Sequence, residues 1–415
     1  MRHMDMEQGF SSVLIVPLEI PAEGVSRLKK EKVIDSNDQK YIDSKYYEPH
    51  IKKFYLGLDH QDNKKNLDEK GVLRYYNYNL EGVNPSSPMQ LTPSEHFSES
   101  TFFKRTRSFL VVNQTEFGTA SNKQGGVGQK FNLAYAVVLI EWKGFGTVDS
   151  LIRGLIDSKI LRYHGGNGKK DGQCKFKFVQ DKKEAMSFGK AMTGPLETVG
   201  AKFRSPKFIG LHMSSHDVNN ALIYGLLRQT NMDFSEASDE NKVFMDAFWA
   251  HVMNEGAIIK DPRYKGSNAV ETFNRYGPAF LIALNQREVF KVLIEGIAFH
   301  AAKGEEHLME SAEEQLEKLT FSRINQEFYH LSEYTEIKKF FSKLQEVFSI
   351  ELLVRDVQDS VQALNKFNDI QRNNREVKKN NRMNNFLFAI AVLSVISAIV
   401  DGIDLFDFIK NLLSQ

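Results

Sequence analysis

The 415-residue chain has 54 lysines and arginines against 53 aspartates and glutamates, a net charge of +1, with 41% apolar and 11% aromatic residues. The charge balance excludes a uniformly basic nucleic-acid-binding protein, and the aromatic content excludes a disordered chain. The single cysteine, Cys174, excludes intrachain disulfides and thiolate-clustered zinc sites. It also indicates a reducing, cytoplasmic environment for the bulk of the chain.

Residues 1–214 alternate strand patterns with helical patterns in an irregular order. This order favours an α+β class, with an α/β-like mixed sheet domain rather than a sandwich. The strand patterns cover Ser12–Ile20, Lys53–Leu58, Val72–Leu80, Ser108–Asn113, Phe131–Trp142, Cys174–Val179 and Lys207–His212. The helical patterns in this part cover Asp38–Lys53, Thr147–Asp157 and Lys183–Met192.

Helical patterns dominate residues 215–320 and predict a helical layer after the sheet domain. They cover Asp217–Gln229, Asp239–Asn254, Asn268–Arg287 and Glu288–Lys303. No proline or glycine occurs from Glu305 to Val400, which predicts a long helical stalk over residues 321–385. Apolar residues spaced by three and four, such as Leu353 and Val357, favour a stalk that associates with copies of itself. An ordinary helical hairpin packed on its own domain is the alternative.

Residues 386–400 form the most apolar run of the chain, without a single charge. Residues 365–385, before this run, contain six basic and two acidic residues, and three aspartates follow residue 400. This charge distribution matches the positive-inside rule for a segment whose N-terminal side is cytoplasmic. The run therefore predicts a transmembrane helix in a membrane segment over residues 386–415, and a buried core or oligomerisation helix is the alternative. Its large apolar side chains are Phe386, Leu387, Phe388, Ile390, Val392, Leu393, Val395, Ile396, Ile399 and Val400.

One pair of histidines has the spacing of a metal site. His212 and His216 are four residues apart, so on a helix they would share one face, and Asp217 could supply a further ligand. Asp217 equally fits the N-cap of the helix that follows. The three residues are thus candidate metal ligands, with a structural helix start as the alternative.

A glycine-rich stretch, Gly125, Gly126 and Gly128, lies between Lys123 and Lys130. It lacks the Gly-Lys-Ser/Thr ending of a phosphate loop and precedes a strand, which favours a hairpin connection. Exposed glycine amides beside the two lysines could nevertheless bind an anionic ligand. Basic residues leading into the strand at Ser108 form a second candidate anion site beside two phenylalanines, with the solvent face of an edge strand as the alternative. These basic residues are Lys104, Arg105 and Arg107.

None of these patterns defines an enzyme. The sequence has no GxSxG motif, no cysteine nucleophile with a supporting motif and no complete phosphate loop. We therefore expect a protein without catalytic residues and without a cofactor.

Residues 380–402, NNRMNNFLFAIAVLSVISAIVDG, together with the layout of sheet domain, helical layer and stalk, resemble the CorA-like family of membrane proteins. Magnesium channels of that family carry a Gly-Met-Asn signature after the first membrane helix. Asp401-Gly402-Ile403-Asp404 stands at that place here. The chain is more similar to the divergent branch that serves as membrane effectors of type III CRISPR defence.

This resemblance implies an oligomeric sensor-effector of antiviral defence in the inner cell membrane, with most of the chain in the cytoplasm. Its soluble part would bind a nucleotide second messenger similar to SAM-AMP, and its stalk would perturb the lipid bilayer. The implied partners are the bilayer, further copies of the chain and a nucleotide-type ligand, without direct nucleic-acid binding. A tail-anchored metal-dependent hydrolase and a divalent cation transporter are the alternatives.

Overall fold

A large mixed sheet with helices on both faces is the main feature of the computed structural model. The structure describes residues 10–35, 46–48, 51, 72–79, 89–91, 102–118, 130–157, 175–178, 186–204, 207–212, 220–228, 242–245, 248–261, 269–303 and 331–376. The strands are β1 Phe10–Pro21, β2 Ile34–Asp35, β3 Leu73–Tyr78, β4 Met89–Leu91, β5 Phe102–Gly118, β6 Lys130–Lys143, β7 Lys175–Phe178, β8 Met186–Ser187, β9 Lys202–Phe203, β10 Lys207–His212, β11 Lys242–Met245, β12 Phe248–Met253 and β13 Gly256–Lys260. The helices are α1 Gly24–Lys30, α2 Val148–Asp157, α3 Phe188–Glu197, α4 Asn220–Arg228, α5 Ala269–Lys303, α6 Thr335–Val347 and α7 Ile350–Glu376.

The strands follow the order β11-β12-β13-β10-β1-β6-β5-β4-β7-β8, with β2 on β3, β3 on β5 and β9 on β1. β1 pairs antiparallel with both β6 and β10, so that Phe10 lies opposite Trp142 on one side and His212 on the other. β10 and β13 run parallel, with His212 beside Lys260. The mixed α+β class expected from the sequence is confirmed.

The central strands β1 and β6 are buried on both faces because helices cover both sides of the sheet. Their sequences, VLIVPLEI and LAYAVVLI, are nearly continuous apolar runs, as expected for strands with two covered faces. The predicted strands Ser12–Ile20, Phe131–Trp142 and Lys207–His212 are confirmed.

One face of the sheet packs against α2 and α4. Even-numbered residues of β1 and β6, such as Leu14 and Val138, form a core cluster with Leu151 of α2 and Ile223 of α4. Both helices were expected from the sequence, at Thr147–Asp157 and Asp217–Gln229. Their buried apolar faces fix this side of the sheet.

The opposite face carries the first half of α5. The hydroxyls of Ser11 and Thr272 are 2.8 Å apart, and the rings of Phe109 and Phe273 stack with centroids 5.5 Å apart. From residue 276 to 286 this helix is buried on all sides, since α6 packs on it as well; the Tyr276 and Phe340 rings meet edge to face. The sequence predicts two helices, Asn268–Arg287 and Glu288–Lys303, where the structure has one continuous helix.

The helix predicted at Asp239–Asn254 is wrong, because this stretch forms β11 and β12, followed by β13. These strands extend the sheet beyond residue 214 on the far side of β10. The alternation in Lys242-Val-Phe-Met and Trp249-Ala-His-Val is a strand period, and pairing with β13 overrides the helical appearance of the segment.

The stalk is not one uninterrupted helix in the part that the structure describes. Residues 331–334 are not helical, and α6 and α7 are separated at Ser349, whose φ of 54° is left-handed. No glycine or proline marks this break in the sequence. The sequence does not predict the break, because a serine here adopts a backbone conformation that normally favours glycine.

The described residues fall into two compact units. The first contains residues 10–117, 130–285 and 331–348, and hence the sheet; the second contains Gly118, residues 286–303 and residues 349–376. No helix among the residues that the structure describes is long and apolar enough to cross a membrane. The predicted transmembrane run 386–400 lies outside the described residues.

Candidate functional site

The described members of the predicted anion-binding set lie near one end or the other of β5. Lys104, Arg105 and Arg107 belong to its first half, and the guanidinium of Arg107 lies 5.7 Å from the ring centroid of Phe109. Lys130 begins β6 and pairs with Glu116 near the other end of β5, at 3.6 Å. Lys123, Gly125, Gly126 and Gly128 lie outside the described residues.

Distance along the strand keeps these two groups apart. The stretch from Arg107 to Glu116 covers about 30 Å of extended chain. The glycine-rich segment joins the neighbouring strands β5 and β6, so it is followed by a strand rather than by the helix N-terminus that a phosphate loop uses. Among the described residues, Arg107 and Lys130 therefore do not come together in one site.

The predicted metal ligands begin at the carboxyl end of β10. His212 is the last residue of this strand and lies beside Lys260, so the next residue on β13's side is the fully buried Asp261. His216 and Asp217 lie outside the described residues. Within the described part of the chain, no group of three histidine, cysteine or acidic side chains is placed to hold a metal.

A buried charge cluster around Arg275 was not predicted. Arg275 Nη1 lies 3.7 Å from Asp261 Oδ2 and 3.6 Å from Glu336 Oε1, which brings together the end of β13, α5 and the start of α6. Its guanidinium also covers the Tyr46 ring at 4.9 Å. The two carboxylates outnumber the single guanidinium, so the cluster has an excess of negative charge and would repel an anion. We therefore interpret it as a structural cluster that links the three elements.

Residues 46–48 tie the cluster to neighbouring segments. The Tyr46 hydroxyl donates to Glu271, the Ser332 hydroxyl donates to the Tyr46 carbonyl, and the Glu48 N–H donates to the Leu331 carbonyl at 3.2 Å. The tyrosine spacing of this short segment gave no sign of these contacts in the sequence.

The Tyr47 hydroxyl contacts the backbone of α5 beside the internal proline of that helix, Pro278. This hydroxyl donates to the Arg275 carbonyl at 2.7 Å and accepts from the Ala279 N–H at 3.2 Å. Burial raises the pKa of Tyr47 well above its ordinary value, although the Ala279 N–H partly offsets the shift. The phenol therefore stays protonated and remains a donor at neutral pH.

A second unpredicted cluster lies at the β11 edge of the sheet, on the face that carries α4. We call Lys242, Phe244, Trp249 and Lys260 the lysine–aromatic patch. Phe244 and Trp249 lie opposite each other on β11 and β12, and Trp249 lies opposite Lys260 on β13. The Lys242 ammonium is 5.2 Å from the Phe244 ring centroid and 5.1 Å from that of Trp249. The sequence interpretation missed this patch because it assigned the segment to a helix.

Comparison of the chain with protein-family models, with curated proteins and with solved structures finds no match.

Proposed function

We propose that the chain is a membrane-anchored sensor-effector of antiviral defence, whose sheet unit binds a nucleotide second messenger and whose C-terminal helices act on the bilayer. The observation that carries this proposal is the course of α7. This 27-residue helix continues to Glu376, and so carries Lys366, Arg372 and Arg375 of the basic segment that precedes the apolar run. A helix that presents positive charge just before an apolar segment is typical of the cytoplasmic side of a membrane anchor.

The proposed self-association belongs beyond residue 361. Val357 and Val361, on the apolar stripe of α7, are 1% and 5% exposed in a single chain. Their burial within one chain favours the hairpin interpretation for this part of the helix. Contacts between copies are therefore proposed for residues 362–400, where the apolar stripe continues with Leu364 and Phe367.

A fractionation experiment tests the anchor. The intact chain should remain with membranes after alkaline carbonate washing and should be released by detergent. Truncation after Asn380 should move it to the soluble fraction, as should Leu393→Lys combined with Ile396→Lys, because charges at the centre of an apolar run oppose insertion. Ser394→Ala is the matched control and should stay with membranes. Complete recovery of the intact chain in the soluble fraction would sink the anchor proposal.

A growth experiment tests the effector role. Expression of the intact chain with its messenger present should arrest growth, and the arrest should require residues 381–415. In this proposal the messenger binds one arrangement of the C-terminal helices more tightly than the other and thereby shifts the population towards it. Growth arrest should therefore also depend on the messenger. Arrest that persists after truncation at Asn380 would contradict a membrane mechanism.

A metal-dependent hydrolase is the second candidate, because β10 and β13 are parallel neighbours and their carboxyl ends meet at His212 and Asp261. Carboxyl ends of adjacent parallel strands are common places for active sites. Metal analysis of the purified chain separates the candidates. Stoichiometric zinc or manganese that is lost in His216→Ala would support the hydrolase and count against a sensor without catalysis.

A further inference from the structure

The lysine–aromatic patch combines an exposed ring with nearby positive charge. Phe244 is 61% exposed, although it is a large apolar side chain. The Lys242 ammonium lies close to the rings of both Phe244 and Trp249, and the Lys260 ammonium lies 5.9 Å from the Trp249 centroid on the strand beyond. Lys339 of α6, the helix that packs on α5 at the other face of the sheet, donates to the Phe244 backbone carbonyl at 3.4 Å and is not part of the patch.

The floor of the patch is packed against neighbouring aromatic rings. Trp249 is 8% exposed and its ring packs edge to face against His251, with centroids 5.0 Å apart. His251 in turn lies edge to face with Tyr224 of α4, at 6.0 Å. Phe244 thus lies beside a packed aromatic layer on the same face of the sheet, and a flat ligand would meet a surface that is already formed.

The position of the patch on an edge strand explains part of its composition. Lysines on edge strands discourage pairing with other chains. Protection of the edge would not require an exposed phenylalanine, whose burial by a ligand would be favourable by the hydrophobic effect. The ring together with its ammonium neighbours has the chemistry of nucleotide-binding surfaces, in which a base stacks on an aromatic side chain and lysines attract the phosphates.

We propose that the lysine–aromatic patch binds a nucleotide, with the base stacked on Phe244 and the phosphates near Lys242 and Lys260. The Lys242 and Lys260 ammonium groups lie 5.1 Å and 5.9 Å from the same Trp249 ring centroid, within reach of a single di- or triphosphate. Only the role of the bound nucleotide as a messenger rests on the proposed function. Binding of a nucleotide at this surface does not require a membrane anchor.

Calorimetric titration of the intact chain in mild detergent tests the proposal, with ATP as the probe and adenosine and inorganic triphosphate as its separate halves. Stacking tolerates every base, so ATP is a fair probe for an unidentified nucleotide. We expect ATP to bind more tightly than either half. Phe244→Ala should weaken ATP binding about tenfold or more. Lys242→Gln and Lys260→Gln should weaken ATP and triphosphate more than adenosine.

Matched controls locate the effect. Lys29 lies 4.9 Å from the Tyr76 ring centroid on another part of the sheet, so Lys29→Gln should leave ATP binding unchanged. Phe244 and the lysines are at least partly exposed, and circular dichroism should show their variants folded. The chain has two tryptophans, and Trp142 is buried in the core with its indole N–H donating to Ser12 at 2.8 Å. ATP should therefore change the emission of Trp249, and Trp249→Phe should abolish that change.

The outcomes separate the proposal from its rivals. The proposal would be overturned if ATP did not bind at millimolar concentration. It would also be overturned if Phe244→Ala and Lys242→Gln bound ATP as tightly as the wild type does. Tighter binding of a single-stranded oligoribonucleotide than of ATP would replace the small ligand with nucleic acid, and would overturn it as well. Membrane retention and growth arrest test the anchor and effector independently, so failure of this site would leave those results interpretable.

Discussion

Tyr47 donates a hydrogen bond to the carbonyl oxygen of Arg275, in the second turn of helix α5. The same hydroxyl accepts from the Ala279 N–H, and in an unbroken helix these two backbone groups would pair with each other. Pro278 stands one residue before Ala279 and lacks an N–H, which disturbs this turn of the helix. The phenol forms hydrogen bonds with both of these backbone groups beside the proline.

Tyr47→Phe should lower the free energy of unfolding by about 1–3 kcal/mol, because it leaves a buried carbonyl and a buried N–H without their partner. Denaturant unfolding followed by circular dichroism measures the change. The matched control is Tyr75→Phe. Tyr75 is also fully buried, but its hydroxyl has no hydrogen-bond partner among the described residues, and burial raises its pKa. Its removal should leave stability unchanged or increase it, and an equal loss in both variants would contradict this account.

Gly277→Ala should destabilise the first unit. A Cβ at this position would lie 2.3 Å from Cδ2 of Phe273, whose ring is held by its stacking on Phe109. The ring would have to move, at a cost of about 1–3 kcal/mol. Gly296 lies on the same helix with nothing within 4 Å of an added Cβ. Gly296→Ala should raise stability by up to about 1 kcal/mol through helix propensity, so thermal unfolding should shift in opposite directions for the two variants.

Lys32→Gly should increase stability by about 1 kcal/mol, since Lys32 has a left-handed φ of 56°. It follows α1 in a Schellman motif, in which the Val33 N–H bonds the Leu28 carbonyl and the Lys32 N–H bonds the Lys29 carbonyl. Lys30→Gly, at the last residue of the helix, is the control and should decrease stability, because glycine has a low helix propensity. Denaturation midpoints that fall for both variants would show that the left-handed backbone is not strained.

The stability of the second unit should depend on the ionisation of Asp356. Partial desolvation of this largely exposed side chain, together with the neighbouring Asp359, raises the pKa of Asp356 above its ordinary value, while Arg355 partly lowers it. An acid with a raised pKa in the folded state binds a proton that the unfolded chain has already lost. Stability is therefore lost as the pH rises from about 4 through the raised pKa.

Asp356→Asn should consequently be more stable than the wild type at neutral pH. The difference in unfolding free energy should shrink as the pH falls and Asp356 is protonated. Arg355→Gln removes the neighbour that lowers the pKa of Asp356. The gain in unfolding free energy on Asp356→Asn should therefore be larger in the Arg355→Gln background than in the wild type. A difference that does not vary with pH would show that Asp356 ionises alike in both states.

The central strands could be predicted because their apolar runs are long and bounded by turn residues, as at Ser12–Ile20 and Phe131–Trp142. Two kinds of feature could not. The strands β11 and β12 join the sheet through β13, which pairs with β10 at residues far apart in sequence, such as Phe208 and Gly256, and local patterns do not encode such pairing. The break at Ser349 uses a residue that is not a usual helix terminator.

The unpredicted contacts share one cause. Arg275, Asp261 and Glu336 are far apart in the chain, and only the placement of α5 against β13 and α6 brings them together. Phe244 and Lys260 likewise meet through Trp249 only after three strands align. The described basic residues, in contrast, are near in sequence, but Arg107 lies in the first half of the 17-residue strand β5 and Lys130 begins β6 beside Glu116 at its other end.

The central position of β1 has a consequence for how the protein is made. Its partners β6 and β10 begin at Lys130 and Lys207, so the ribosome must add about 200 further residues before both neighbours exist. At usual rates of synthesis this takes about 10–40 s. During that time a strand that is apolar on both faces has no sheet to join. The nascent chain is therefore a natural client for ribosome-associated chaperones, and slow pairing over such long sequence distances exposes it to aggregation.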